Sequence, residues 1–404
     1  MEWVIKPLGE LVTFERGLTY SKSDEAEFSS NEVLRSNNVD LETNSLNLDE
    51  IKYLKADFVI PSSKKVVRNS LLMCMSNGSK SHLGKVALIE DDLGYAFGGF
   101  MGLLKPIDTV VLPRYLYYSL ISPAYKKHIQ SLSDGANINN LKYKDLSVFP
   151  VMLPTSLSEQ QRIVDILDAE FTKIDALKEN AEKNLQNAKD LFQAVLRKEL
   201  EPKKGWEKVS VGDYFDITSS KRVFKDEWKS EGIPFYRARE IVKLAKYGTV
   251  DNDLFITEEM YMSYKKKYGV PQIDDILITG VGTLGICYLI QDEKPFYFKD
   301  GNVIWLKKKK DILSQYVMYA YKSDDVIKQV HSTQGAVVGT YTIEKANKTI
   351  ISLPPSIEDQ KDIVCRLDSI TEACREMEDN YSKTIILCND LKQALLRKAF
   401  NGEL

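Results

Sequence analysis

The segment LPTSLSEQQRIVDILD at 153–168 recurs as LPPSIEDQKDIVCRLD at 353–368, 200 positions later. The offset persists downstream, where AVLRKEL at 194–200 returns as ALLRKAF at 394–400. Upstream, Gly135-Ala136 corresponds to Gly335-Ala336. Each pair follows a Tyr-rich stretch that reads as helix, RYLYYSLISPAYKKHI from Arg114 and SQYVMYAYKSDDVIKQV from Ser314. EWVIKPLGEL near the start agrees with WEKVSVGDYF from Trp206 at an offset of 203, so a few insertions lie inside the module. This period is far longer than the ~20–50 residues of solenoid repeats. The chain therefore reads as a tandem duplication in the order module, helix, module, helix, with approximate internal two-fold symmetry expected.

A length of 404 residues exceeds one ordinary core, and 43% hydrophobic with 28% charged residues is the composition of a soluble globular protein. The formal charge of -3 does not advertise a polyanionic partner, although a local basic patch matters more than the sum. MEWVIKPLGEL lacks the pattern of a signal peptide, and no run approaches the ~18 apolar residues of a membrane span. The five cysteines (Cys74, Cys287, Cys365, Cys374, Cys388) form no CxxC pair and read as reduced thiols of a cytoplasmic protein. His82, His128 and His331 are scattered, so no metal site is expected.

Each repeated segment opens a long helix. Ser156 stands three residues before Glu159 and fits a capping box, whereas Ser356 before Asp359 fits only loosely. In the second helix Leu367, Ile370, Cys374, Met377, Tyr381, Thr384, Cys388, Leu391 and Leu395 follow gaps of three and four, a heptad seam. The first repeats this frame with Leu167, Ile174, Leu177, Ala181, Ala188, Leu191 and Val195, and breaks it at Glu170 and Asn184. No Pro or Gly interrupts either run before Pro202 and Gly402, which predicts helices about 60 Å long. Helices of that length, with a module between them, favour burying their seams on each other as an antiparallel pair; packing of each on its own module is the alternative. The spans 158–200 and 357–404 together hold 14 basic and 19 acidic residues, leaving 41 and 39 elsewhere. Acidic spacers that avoid phosphate, joined to slightly basic lobes, are consistent with that division.

The modules read as mixed α/β. SLLMCMS (70–76), KVALIE (85–90), DILITG (275–280) and GICYLI (285–290) are strand-like. GVGTLG (280–285) matches GxGxxG by letter, but ICYLI follows it as a strand where a dinucleotide site needs a helix. It and SNGSKSHLGK (76–85) read as exposed hairpin loops. No GxxxxGK[ST], GxSxG, HExxH or Cys/His cluster is present, and Asp274-Asp275 and Asp91-Asp92 read as strand-edge turns. The copies agree at their ends and diverge in the middle: VLRSNNVDL (33–41) stands where the other copy has PFYRAREIVKL (234–244). Arg and Asn are common readers of guanine and adenine edges, so two lobes with different polar sets suit two different half-sites. Ordinary solvated loops are the alternative.

The PxxSxx[ED]QxxIVxxLD segments, the LRK segments and the Asn-Gly-Glu-Leu end together resemble the DNA-specificity subunits of type I restriction–modification enzymes. The resemblance covers essentially the whole chain and is strongest over 153–200 and 353–404. It implies target-recognition domains at 1–152 and 204–352 and conserved helical regions at 153–203 and 353–404. The fold it implies is α+β or mixed α/β, two similar globular domains separated by two long helices in an antiparallel coiled coil. It further implies a non-catalytic subunit that reads a split site on double-stranded DNA. The paired helices would set the gap and dock two modification (methyltransferase) subunits, with motor-nuclease subunits in the full complex. S-adenosylmethionine with adenine methylation, and ATP with magnesium, would belong to those partners and no cofactor to this chain.

The resemblance fixes no DNA-contacting residues, so the candidates rest on side-chain chemistry alone. In the first module they are Arg35, Asn37, Asn38, Lys80, Ser81, His82, Lys85, Asn139 and Lys142. In the second they are Arg237, Arg239, Lys243, Thr279, Thr283 and Thr340. The competing readings are a coiled-coil adaptor whose lobes bind proteins, and a self-sufficient nuclease or methyltransferase.

Overall fold

The computed structural model describes residues 2–134, 140–332 and 339–404. Asn139, Gly135-Ala136 and Gly335-Ala336 lie outside the described residues. The chain divides into two compact units, 1–182 with 382–404 and 183–381, so each unit takes part of each long helix. In the first unit Val12–Arg16, Met101–Pro106, Leu71–Cys74 and Val86–Leu88 form, in that order, an antiparallel sheet. A second sheet runs Glu25–Ala26, Lys52–Leu54, Asn31–Leu34, Ala96–Phe97, its last pair parallel. Trp3–Pro7 pairs with Pro150–Pro154, so this strand continues past the expected boundary at residue 152.

The second unit repeats the plan. Phe215–Thr218, Val303–Lys308, Ile276–Thr279 and Cys287–Leu289 form the antiparallel sheet, and Phe255–Ile256, Ile233–Tyr236 and Tyr297–Phe298 the smaller one. Glu207–Ser210 pairs with Ile350–Leu353. Leu71–Cys74 and Ile276–Thr279 are buried along their whole length, which is why they read as uninterrupted apolar runs. The two Tyr-rich stretches each break into two helices. Ser122-Pro123 ends the first at Leu120 and opens Pro123–Asp134. In the second, the Ser323 hydroxyl caps Asp324–His331 by accepting from the Val326 N–H.

The long helices are Leu157–Leu200 and Ile357–Ala399. The core of the first unit joins Leu8, Leu71, Leu104, Tyr115 and Leu116 to Ile163, Val164 and Leu167 from the start of the first helix. It also takes Leu396 and Ala399 from the end of the second. In the second unit Phe215, Ile276, Leu306, Tyr316 and Val317 meet Ile363, Val364 and Leu367, together with Leu196 from the end of the first helix. Within each unit the two helix segments therefore run antiparallel and close the core of a module.

The repeated motif has a physical reading in this packing. Gln160 is fully buried; its carbonyl accepts from the Leu112 N–H and its amide donates to the carbonyls of Val110 and Pro154. Gln360 accepts from the Leu313 N–H at 2.8 Å. Eight residues on, Asp168 accepts from Arg114 at 2.8 Å and from the Tyr118 hydroxyl, and Asp368 from Gln315 and from Tyr319 at 2.6 Å. Each motif pins the start of a long helix to the same helix of its module.

The cap and the seam differ from the sequence expectation. Asp359 N–H donates to the Ser356 hydroxyl at 3.1 Å and that hydroxyl to the Asp359 carboxylate, so the Ser356 side chain caps the second helix without closing the full box. At the first, the Ser156 hydroxyl turns to Ser158 at 2.7 Å, and Glu159 is held by Arg162. In the seam, Leu167, Ile174, Ala181, Leu367, Tyr381, Val195 and Leu395 are buried or half-buried, and so is Ile370 against the second core. Leu177, Leu191, Met377 and Leu391 are instead exposed. The covered column lies one residue later, at Phe171, Lys178, Leu185 and Phe192 and at Thr371, Glu378, Ile385 and Lys392. Lysine can occupy such a place because its stem packs while its head stays polar. Lys392 lies 4.9 Å from the centre of the Phe171 ring and pairs with Asp175. In the second unit Arg366 bridges to Glu199 at 2.9 Å.

Truncating a buried amide partner leaves a backbone N–H without its acceptor, a loss of roughly 1–3 kcal/mol. Gln160→Ala and Gln360→Ala are each expected to lower the urea unfolding midpoint, Gln160→Ala more because it also leaves the carbonyls of Val110 and Pro154 without their donor. Gln186→Ala, which loses only an exposed bond to Asp190 on the same helix, is expected to leave the midpoint unchanged.

Candidate nucleic-acid interface

The parallel strand pairs place one loop at the same point in both modules. Asn31–Leu34 pairs Leu34 with Phe97, and Ile233–Tyr236 pairs Tyr236 with Phe298. The next residue is Arg35 in one module and Arg237 in the other. The Arg35 N–H donates to the Asn38 side chain at 2.8 Å and the Arg237 N–H to the Glu240 carboxylate at 2.9 Å. One backbone device thus presents an arginine in each module, closed three residues later by a buried acceptor.

Beyond the arginine the two modules diverge. Asn38 is fully buried and donates to the carbonyls of Asn47 and Glu50, so it organises the loop and has no atom to offer outward. Arg35 and Asn37 are exposed, Asn37 donating to Glu50 at 3.2 Å. In the second module a helix, Ala238–Tyr247, replaces the loop. Burial opposes the charge of Glu240, yet hydrogen bonds from Arg237 and Arg239 hold its carboxyl below the usual range. Asp253 accepts from Arg237 at 2.7 Å and from Arg239 at 2.8 Å, and the Arg239 bond in particular keeps it ionised. Lys243 is exposed one turn beyond Arg239, on the same face of the helix.

The hairpin tips behave differently again. Asn77 donates to the Ser36 hydroxyl at 2.9 Å and so ties the 76–85 tip to the loop after Arg35. Lys80 and Ser81 are exposed there, and His82 is half-buried with an Nδ1 that has no hydrogen-bond partner among the described residues. Lys85 points inward, donating to the Val39 carbonyl at 2.6 Å, and burial pulls its pKa down. Lys142 is exposed at the start of a short helix. GVGTLG does lie in a turn between antiparallel strands. Thr279 is buried and holds this turn, donating to the Thr283 carbonyl and accepting from the Ile286 N–H at 3.0 Å. Thr283 and Thr340 are exposed.

Arg35, Asn37 and the 76–85 tip are thus brought together in the first module, and Arg237 and Arg239 in the second. Asn38, Lys85 and Thr279 are structural members of these loops. Sequence reasoning passed over Asn77 and Asp253, which orient the loops, and Phe100. The glycines before Phe100 could have marked it as the tip of a tight turn. The described residues bring together no group of three or more His, Cys, Asp or Glu able to hold a metal ion, and none of their helices is long and apolar enough to cross a membrane.

Residues 1–187 and 203–385 both match the family described as the type I restriction modification DNA specificity domain. The EcoKI specificity subunit of Escherichia coli K12 is 26% identical over 425 residues, covering 100% of this chain and 89% of that protein. The StySPI specificity subunit of Salmonella potsdam is 25% identical, with the same coverage of both chains. Two solved structures bear on the fold. A chain from work on complex assembly and conformational transition of the type I R-M system superposes with a TM-score of 0.78 at 19% identity, covering 100% of this chain and 98% of that one. The HsdS subunit from Thermoanaerobacter tengcongensis gives 0.57 at 18%, covering 100% and 97%. Matched over both of its modules, the chain belongs to the type I restriction–modification DNA-specificity family.

Proposed function

We propose that each module of this chain reads one half of a bipartite DNA site, and that the paired helices set the unread gap and seat two methyltransferase subunits. The observation that carries this reading is the loop after Leu34 and Tyr236. An arginine stands at the same backbone position in both modules, followed by Asn37 in one and Arg239 in the other. Side chains that differ on one frame suit two different sequences. The ion pairs that Arg237 and Arg239 make with Asp253 are open to solvent and therefore weak, so a guanine edge or phosphate can displace them.

The helices supply the second half of the reading. Leu177, Ile386, Leu387 and Leu391 are exposed on the helix segments of the first unit, and Leu191 and Met377 on those of the second. Large apolar side chains kept outside suit protein partners rather than phosphate. Those partners bring S-adenosylmethionine for adenine methylation, and a motor-nuclease subunit brings ATP and magnesium. This chain supplies no catalytic group and works in the cytoplasm.

Sequencing of modified bases in cells expressing the chain with its methyltransferase is expected to show one split motif. Arg35→Ala is expected to relax positions in one half only and Arg237→Ala in the other, at a cost of roughly 1–3 kcal/mol per contact. Both variants relaxing the same half would contradict the assignment of one half to each module. Leu387→Asp is expected to release methyltransferase from the purified complex, read as a lower mass in light scattering, while the isolated chain keeps its unfolding midpoint. An unchanged mass would remove this row from the docking surface.

A further inference from the structure

Phe100 is 70% exposed, in a module whose other large rings are mostly covered. Its backbone is nonetheless firmly held. The Phe100 carbonyl accepts from the N–H groups of Met75 at 2.9 Å and Ser76 at 3.1 Å. The turn before it closes through Met101 N–H to the Gly98 carbonyl at 2.8 Å, and Gly98 N–H donates to Leu34 at 2.9 Å. The chain at Gly17 passes so close that a Cβ there would stand 1.9 Å from the Gly98 oxygen. A ring on so fixed a support is presented rather than loose.

Its neighbours are the readers already described. Gly98 lies against Arg35, where a Cβ would be 3.8 Å from the arginine Cγ. Ser76, whose N–H binds Phe100, precedes Asn77, and Asn77 donates to Ser36. An apolar ring therefore stands within a set of hydrogen-bonding side chains. The thymine C5-methyl is the one apolar mark among the base edges of the major groove, so a reader of mixed chemistry matches it. The second module lacks this feature. There the Gly280 N–H binds the carbonyl of Asn302 at 2.8 Å, so half-buried Asn302 is the counterpart of Phe100. The turn before it is one residue longer and carries Asp300, paired with Arg222 at 3.0 Å.

We propose that Phe100 is a specificity-determining residue of the first module that packs on the C5-methyl group of a thymine in its half-site. This rests on the DNA-recognition reading above. The test uses the chain assembled with its methyltransferase, once methylation mapping has given the split site. Each thymine is replaced in turn by uracil, which removes only the methyl, and binding is measured by competition. One replacement, in the first module's half, is expected to weaken the wild type about 4-fold, the scale of one buried methyl group. Phe100→Ala is expected to show the same loss on thymine DNA and no further loss on uracil DNA, with thymines of the other half unaffected.

A half-site without thymine, a wild type indifferent to every uracil, or a Phe100→Ala variant that keeps the wild-type sensitivity would each overturn the proposal. So would loss of methyltransferase assembly on Phe100→Ala, which would mark the ring as a protein contact. The uracil scan of the wild type needs no variant to fold. Failure to bind any split site would count against the DNA-recognition reading itself, so the two outcomes are separable.

Discussion

Everything in this fold depends on burying the apolar stripe of two helices that no single module could cover. Each stripe is divided. The start of a helix enters the core of the module before it, through Ile163, Val164 and Leu167 or Ile363, Val364 and Leu367. Its far end enters the core of the other unit, through Leu196 or through Leu396 and Ala399. The core of each unit is therefore completed by residues from both long helices. The buried glutamines and the Tyr-bound aspartates, Asp168 and Asp368, pin each helix start with polar groups. Apolar packing alone tolerates sliding; hydrogen bonds of fixed geometry do not.

The loops stand on these cores. The hydrogen bond from Arg35 to Asn38, and from Arg237 to Glu240, is one device used twice with different chemistry. The neutral amide leaves Arg35 exposed and organises a loop. The carboxylate gathers Arg237 and Arg239 into a cluster shared with Asp253. Two modules that agree in their support and differ in the side chains they present suit two different sequences.

Much of this was legible in the sequence. The 200-residue offset exposed the duplication, and the apolar runs marked the central strands. The pairing of 33–41 with 234–244 anticipated the equivalence of Arg35 and Arg237. The misses have physical causes. Choosing the seam by a fixed apolar frame selected Leu177, Leu191, Met377 and Leu391, whereas the covered column one residue later takes Phe192 together with Lys178, Glu378 and Lys392, whose stems can pack while their heads stay polar. Choosing readers by polarity included Asn38, Lys85 and Thr279, whose polar atoms serve their own loops. A search for hydrogen-bond donors also passes over an exposed ring such as Phe100.

If each module carries its own half of the recognition and the helices carry the distance, the modules should be exchangeable. The decisive experiment is a chain in which a second copy of residues 1–152 replaces 204–352, assembled with the methyltransferase and mapped for methylated bases. The expected product is a site bearing the first half twice across an unchanged gap. An assembled complex that still methylates the original split site, or one whose gap length changes, would contradict this division of labour.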